Sequence, residues 1–165
     1  MRRHAGTVIA CSCLVTFGFV RNATAADRPI RFGVQASWAD DADLGLGARA
    51  ALRLGQTGAL AKVEGVASFD YFFPEDPLSY WELNFNGLYG FAPQGKLVPY
   101  AGGGINIAHV SLDLPFLDAS DTQVGLNLVG GARFELDTSS MQPFVEVKFE
   151  VEGGEEFVLS AGIRF

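Results

Sequence analysis

Strict alternation of apolar and polar residues is the feature that most limits what this chain can fold into. At residues 30–38, Ile, Phe, Val, Ala and Trp alternate with Arg, Gly, Gln and Ser. Successive side chains of a β-strand point to opposite faces, so this period of two predicts a strand with one apolar and one polar face. The pattern recurs in eight segments: 30–38, 44–54, 63–73, 81–91, 97–108, 124–136, 145–151 and 157–165.

The segments follow one another with short connections and no linker between them. We therefore predict an all-β fold, a single closed up-and-down antiparallel eight-stranded transmembrane β-barrel, since closure removes exposed strand edges. The fifth segment is the least regular. Its Gly102-Gly103-Gly104 run predicts a β-bulge that changes the phase of the strand.

The N-terminus has the features of a cleaved export signal. Arg2 and Arg3 precede an apolar stretch, and a small-residue motif ends at Ala25. We expect residues 1–25 to be a signal peptide and residues 26–165 to be the barrel domain. Both cysteines, Cys11 and Cys13, lie in the signal, so no disulfide or cysteine-bound metal is expected in the mature chain.

The mature chain is strongly acidic. Removing Arg2, Arg3 and Arg21 from the 12 basic residues leaves nine against 19 acidic ones, a net charge of −10. A nucleic-acid partner is not expected, because phosphate binding needs a basic face.

The charges on the polar face are balanced, which favours a membrane barrel over a soluble one. An eight-stranded barrel is just wide enough for side chains to fill it, so opposite charges can neutralise one another inside. We predict that the polar face lines the lumen and the apolar face meets lipid. The predicted lumen charge network has six cations and six anions: Arg31, Arg49, Arg53, Arg133, Lys148 and Arg164 with Glu64, Asp70, Glu82, Glu135, Glu146 and Glu150.

Aromatic residues and acidic residues are both sorted by strand end. Trp38, Phe73, Trp81 and Phe157 predict one interfacial belt; Phe91 and Phe165 predict the other, with Phe32 and Tyr100 as further candidates. With periplasmic termini, the outer loops lie near 39–43, 74–79, 109–122 and 152–156. These loops hold 11 of the 19 acidic residues and no Lys or Arg.

The exported N-terminus, Leu-Gly-Leu-Gly-Ala-Arg at 44–49, Pro-Tyr-Ala-Gly-Gly-Gly at 99–104 and a last strand ending in Phe165 together resemble eight-stranded outer-membrane barrels of the OmpA and OmpX type. The resemblance implies residence in the outer membrane of a Gram-negative-type bacterium as a monomer. It also implies two partners, the outer-membrane lipids with lipopolysaccharide and the barrel assembly machinery. The assembly signal would lie on the last strand: Phe157, Leu159, Ala161, Ile163 and Phe165.

Three functions remain open on the sequence. The favoured one is a structural or surface-interaction barrel whose lumen is filled by the charge network; the alternative is a small-solute channel. The third is a lipid A deacylase or acyltransferase using His109 and Ser111, with Asp113 to orient the base. The Asn that follows Ser in the deacylase motif is replaced by Leu112, so we predict no catalytic residues. No acidic loop has the ligand spacing of an EF-hand or a calcium repeat, and we predict no metal site and no cofactor.

Overall fold

The computed structural model describes residues 30–40, 42–74, 78–114, 117–136, 140–151 and 157–165. A short 3-10 helix, Gly58–Lys62, lies between the second and third strands. The predicted signal peptide, residues 1–25, lies outside the described residues. The eight strands are β1 Ile30–Ala39, β2 Asp43–Arg53, β3 Val63–Phe72, β4 Leu78–Gly90, β5 Leu97–Leu114, β6 Leu117–Phe134, β7 Gln142–Val151 and β8 Phe157–Arg164.

Each strand pairs antiparallel with the next, and β8 pairs with β1 to close the barrel. The predicted fold class is therefore confirmed. Ile30 and Phe165 lie at the same end of the barrel, which we call the terminus end; the opposite end is the loop end. Among the described residues, no helix is long and apolar enough to cross a membrane.

The two faces of the wall have opposite chemistry. Outward side chains such as Leu46, Leu128 and Phe149 are exposed, whereas inward ones such as Glu82 and Lys148 are buried. The alternation in the sequence thus places hydrocarbon outside and charge inside, the reverse of a soluble barrel.

The predicted bulge in β5 is wrong. The strand pairs residue for residue with β4 from Gly90↔Tyr100 to Leu78↔Leu112, so its phase never changes. The glycines instead allow a close approach between strands. A Cβ at Gly102 would overlap the carbonyl oxygen of Gly87, and one at Gly104 would overlap that of Phe85. Glycine is therefore required at these positions by the close approach of the strands and not by the inserted residue of a bulge.

The predicted loop at 109–122 is also wrong, because β5 and β6 run on through it as a hairpin. His109 pairs with Thr122, and the ladder continues to Leu114↔Leu117. β7 pairs with β6 only from Leu126 onward. Among the described residues, 117–125 of β6 therefore have no strand partner on the side away from β5.

The inside of the barrel is stacked in four layers from the loop end to the terminus end. The loop-end cap consists of Ala39, Ala42, Phe72 and Val158, packed by Tyr80. Beneath it lies the polar compartment, which contains six charged residues and their hydrogen-bond partners: Arg49, Asp70, Glu82, Glu146, Lys148 and Glu150. An apolar layer follows: Ala51, Val66, Leu88, Tyr100 and Val129. The arginine mouth closes the series with Arg31, Arg53, Glu64, Arg133, Glu135 and Arg164.

Candidate functional site: the charged lumen

Arg49 and Glu146 form the central ion pair of the polar compartment. Nη1 and Nη2 of Arg49 donate to the two Glu146 oxygens at 3.1 and 2.9 Å, a bidentate geometry. The Arg49 guanidinium carbon lies 3.9 Å from the centroid of the Phe144 ring. Tyr100 Oη, which comes from the apolar layer, also donates to Glu146 at 2.9 Å. This carboxylate therefore has both a charged and a neutral donor.

Asp70 is held by neutral donors. Gln35 Nε2 and Ser37 Oγ donate to Asp70 Oδ1 at 2.7 and 2.9 Å. The Ser37 and Ser160 hydroxyls are 2.9 Å apart, and Arg49 Nε donates to Gln35 Oε1. These contacts join β1, β2, β3 and β8 across the lumen.

Lys148 organises the other side of the polar compartment. Its ammonium pairs with Glu82 and with Glu150, the latter at 2.6 Å. Tyr80 Oη donates to Glu82 at 2.7 Å. The remaining links are made by asparagine amides: Asn106 donates to Glu150, and Asn127 donates to Asn84 and Asn86 at 2.9 and 3.0 Å.

The arginine mouth is built around one carboxylate. Glu64 receives Arg164 Nη1 at 2.9 Å and lies 3.5 Å from Arg133 Nη1. Arg164 Nη2 donates to Gln142 at 2.9 Å. Arg133 lies 3.9 Å from Glu135, whose side chain is 51% exposed. The mouth is thus more hydrated than the polar compartment.

The structure separates the predicted network into these two groups. Arg49, Asp70, Glu82, Glu146, Lys148 and Glu150 meet in the polar compartment, and the other six lie in the mouth. Arg53 and Glu135 are exposed there, because each lies at the end of its strand. The cations and carboxylates are equal in number over the whole network but not within each group. The polar compartment has two cations and four carboxylates, and the arginine mouth has four cations and two carboxylates.

Several neutral side chains join the interior network beyond the twelve predicted charged residues, among them Gln35, Ser37, Tyr100 and Asn106. Their inward position follows from strand phase, so the alternation contains the signal for the first two. For Tyr100 and Asn106 the expected bulge in β5 obscured it.

Tyr100 was expected as a candidate for an aromatic belt and is instead buried in the lumen. The outer belts are formed by outward-facing rings. At the loop end, Phe157 contacts both Trp38 and Phe149 with ring centroids 6.4 and 5.2 Å apart. At the terminus end, the Tyr89 and Phe91 rings are 5.4 Å apart.

His109 and Ser111 lie on the outward face of the hairpin but have separate partners. His109 Nδ1 is 2.8 Å from Thr122 Oγ1, and its ring stacks on Trp81 at 5.1 Å. Ser111 Oγ is 2.6 Å from Ser79 Oγ. No hydrogen bond joins His109 to Ser111 within the described part of the chain, and the Asp113 side chain lies outside it.

The residues expected to form the assembly signal lie along the outward face of β8. Leu159, Ile163 and Phe165 are exposed there, next to the outward residues of β1 and β7. The face is continuous with the apolar exterior. Its role in assembly stays a prediction.

Comparison with known proteins identifies the fold. No protein-family model and no curated protein sequence matches the chain. Three solved structures share the architecture at 15% sequence identity, each covering 82% of this chain. They are Neisserial surface protein A (TM-score 0.64, 94% of that chain), the N-terminal β-barrel domain of Pseudomonas aeruginosa OprF (0.61, 96%) and Ail, the attachment invasion locus protein of Yersinia pestis (0.55, 96%). The chain has the eight-stranded fold of outer-membrane β-barrels.

Proposed function

We propose that this protein is an integral outer-membrane barrel with a closed lumen and a structural or surface-interaction role. The terminus end faces the periplasm and the loop end faces outward. The observation that carries the proposal is the reversed polarity of the wall, with exposed hydrocarbon outside and paired charges inside.

The height of the apolar exterior supports membrane residence. Along β4 the outward residues run from Trp81 at one belt to Phe91, the residue that follows the strand, at the other belt, ten residues further on. At about 3.3 Å per residue and a tilt of about 40°, that distance is about 25 Å along the barrel axis, the height of the apolar band of membrane barrels. Solvent-exposed hydrocarbon of this extent would not be stable in water.

The layering of the lumen supports a plug over a channel. Ala39 and Phe72 of the loop-end cap are 0% exposed, and Leu88 and Val129 in the apolar layer are also buried. Water and solutes entering from either end would meet an apolar layer before reaching the polar compartment.

Two measurements test this proposal. A heat-modifiability gel of the membrane fraction should show a folded band that migrates apart from the boiled one. Planar-bilayer recording of the purified barrel should show no steady conductance steps. Regular steps that vanish when Phe72 is replaced by a larger side chain would support the small-solute channel instead.

The hairpin formed by β5 and β6 is the element best placed for surface interaction. Beyond the belt it exposes Ser120, Asp121 and Thr122, and the predicted outer loops contain no basic residue. Ail has been solved with the heparin analogue sucrose octasulfate. The acidic loop end here favours a cationic partner and disfavours a polyanion of that kind.

An oligolysine peptide is a suitable probe of this surface. It should bind barrels in neutral nanodiscs at low salt and bind more weakly when Asp113, Asp118 and Asp121 are all changed to Asn. Replacement of Lys62, at the opposite end, by Gln is the control. Equal binding of the peptide by the triple variant and the parent would show that the hairpin is not the surface that binds a cationic partner.

We assign no catalytic role to His109 and Ser111. Their separate hydrogen bonds support a structural role at the membrane boundary. Cells with His109→Ala should keep an unchanged lipid A composition, and a changed acylation pattern would restore the enzyme hypothesis.

A further inference from the structure

We propose that the arginine mouth is a binding site for a phosphate-class oxyanion. The site goes beyond the proposed function, since neither a closed lumen nor a surface partner requires it. Its ligand could come from a phospholipid headgroup of the periplasmic leaflet or from a soluble phosphate, and the test below separates the two.

The mouth has an excess of positive charge that its own carboxylates do not balance. Among the described residues, four arginines, Arg31, Arg53, Arg133 and Arg164, face two carboxylates, Glu64 and Glu135, and Glu135 is half exposed. Leaving Arg31 out of the count still leaves an excess of one. Glu64 is one buried carboxylate that interacts electrostatically with three guanidinium groups, those of Arg53, Arg133 and Arg164.

One donor in the mouth is buried and unsatisfied. Arg164 is only 3% exposed, and among the described residues its Nε has no hydrogen-bond partner, although Nη1 and Nη2 are bound to Glu64 and Gln142. A buried charged donor without an acceptor is unfavourable by an amount comparable to a strong hydrogen bond. An oxyanion would supply that acceptor.

The residues present suit phosphate chemistry. Guanidinium groups bind phosphate oxygens through planar, charge-assisted hydrogen bonds. Arg53 is exposed at the rim, directly across the strand pair from Glu64, so it lies where an incoming anion would first meet the site. The mouth therefore combines an accessible arginine, Arg53, with a buried one, Arg164, whose Nε lacks an acceptor among the described residues.

The test follows the arginine Nε–Hε resonances of the folded barrel by NMR. In neutral detergent, inorganic phosphate should shift the Arg164 resonance saturably, and sodium chloride at equal ionic strength should not. Arg164→Lys identifies the resonance. Arg53→Gln should weaken binding about tenfold, the loss of one charge-assisted bond. Lys62→Gln removes the same charge at the same end but should bind normally, because the Lys62 ammonium lies on the outer face, 5.9 Å from the Tyr89 ring centroid.

A second arm uses nanodiscs in buffer free of phosphate. A shift of the Arg164 resonance in phosphatidylglycerol discs relative to phosphatidylcholine discs identifies a lipid headgroup as the ligand. A shift only on adding inorganic phosphate identifies a soluble one. No saturable shift in either arm, an equal effect of chloride, or unchanged binding in Arg53→Gln would overturn the proposal. Heat-modifiability gels show that each variant is folded.

Discussion

The polar compartment and the arginine mouth contain the same kinds of groups in different surroundings. In the compartment, Glu82 is 0% exposed and receives Lys148, Tyr80 and Asn84. In the mouth, Arg133 shares Glu64 with Arg164, and Glu135 lies in contact with solvent. A missing charge partner costs more where water is excluded than where water enters. The comparison predicts a gradient of mutational cost from the middle of the lumen to its open end.

The largest effect is expected for Lys148→Met. The change removes the cation that pairs with both Glu82 and Glu150 in the buried compartment. We expect a loss of about 3–5 kcal/mol in the free energy of unfolding, measured by reversible urea unfolding in lipid vesicles. Lys148→Arg keeps the charge and should cost much less. A small loss for Lys148→Met would mean that water reaches the compartment.

The neighbouring position tests which face of β7 meets lipid. Val147 points outward and pairs with the outward residues Gly130 and Leu159. Val147→Arg should cost about 2–4 kcal/mol near mid-membrane, and Val147→Leu is the matched apolar control. If Val147→Arg cost no more than Lys148→Arg in the same assay, the assignment of the lipid-facing and lumen-facing sides of β7 would be wrong.

A smaller loss is expected for Glu64→Gln in the arginine mouth. The amide can still accept from Arg164, and nearby water screens the arginines, so we expect about 1–2 kcal/mol. The loss should decrease as salt is raised, because ions screen the arginines from one another. A loss as large and as insensitive to salt as that of Lys148→Met would show that the mouth is also dry.

The smallest effect is expected for Glu135→Gln. Its contact with Arg133 is long, 3.9 Å, and its side chain is half exposed. Ion pairs of this kind contribute about 0–1 kcal/mol, and we expect a change at the low end of that range in the same unfolding assay. A loss above that of Glu64→Gln would invert the gradient.

Most of the fold could be predicted because lipid and a packed lumen act on opposite faces of every strand. Because of this constraint, apolar and polar residues alternate wherever a strand lies in the membrane, as at Val124 to Phe134. Above the loop-end belt, residues 119–123 of β6 are exposed whichever way they point, so the constraint no longer acts there. At 109–114 the alternation continues in the opposite phase, with Val110, Leu112 and Leu114 between His109, Ser111 and Asp113, and 117–122 are mainly polar. The sequence therefore predicts a loop where the structure has paired strands.

The interior charges could be predicted as a set but not as two separate groups. Alternation identifies which residues point inward, and it says nothing about which of them meet across the barrel. Strand ends hold part of that information: Arg31, Glu64 and Arg164 all lie near the terminus end of their strands. The pairing of Arg49 with Glu146 joins β2 to β7, strands that are not neighbours in the sheet, and only the closed structure reveals it.

The loop-end cap and the apolar layer act as two seals in series, and this arrangement limits how the protein could evolve into a conduit. Truncating Phe72 would open only a vestibule, since Leu88 and Val129 still block the passage further down. Shrinking Leu88 would extend only the periplasmic vestibule. On the proposed closed lumen, we expect a conducting descendant to need changes at both levels, because no single substitution removes both seals.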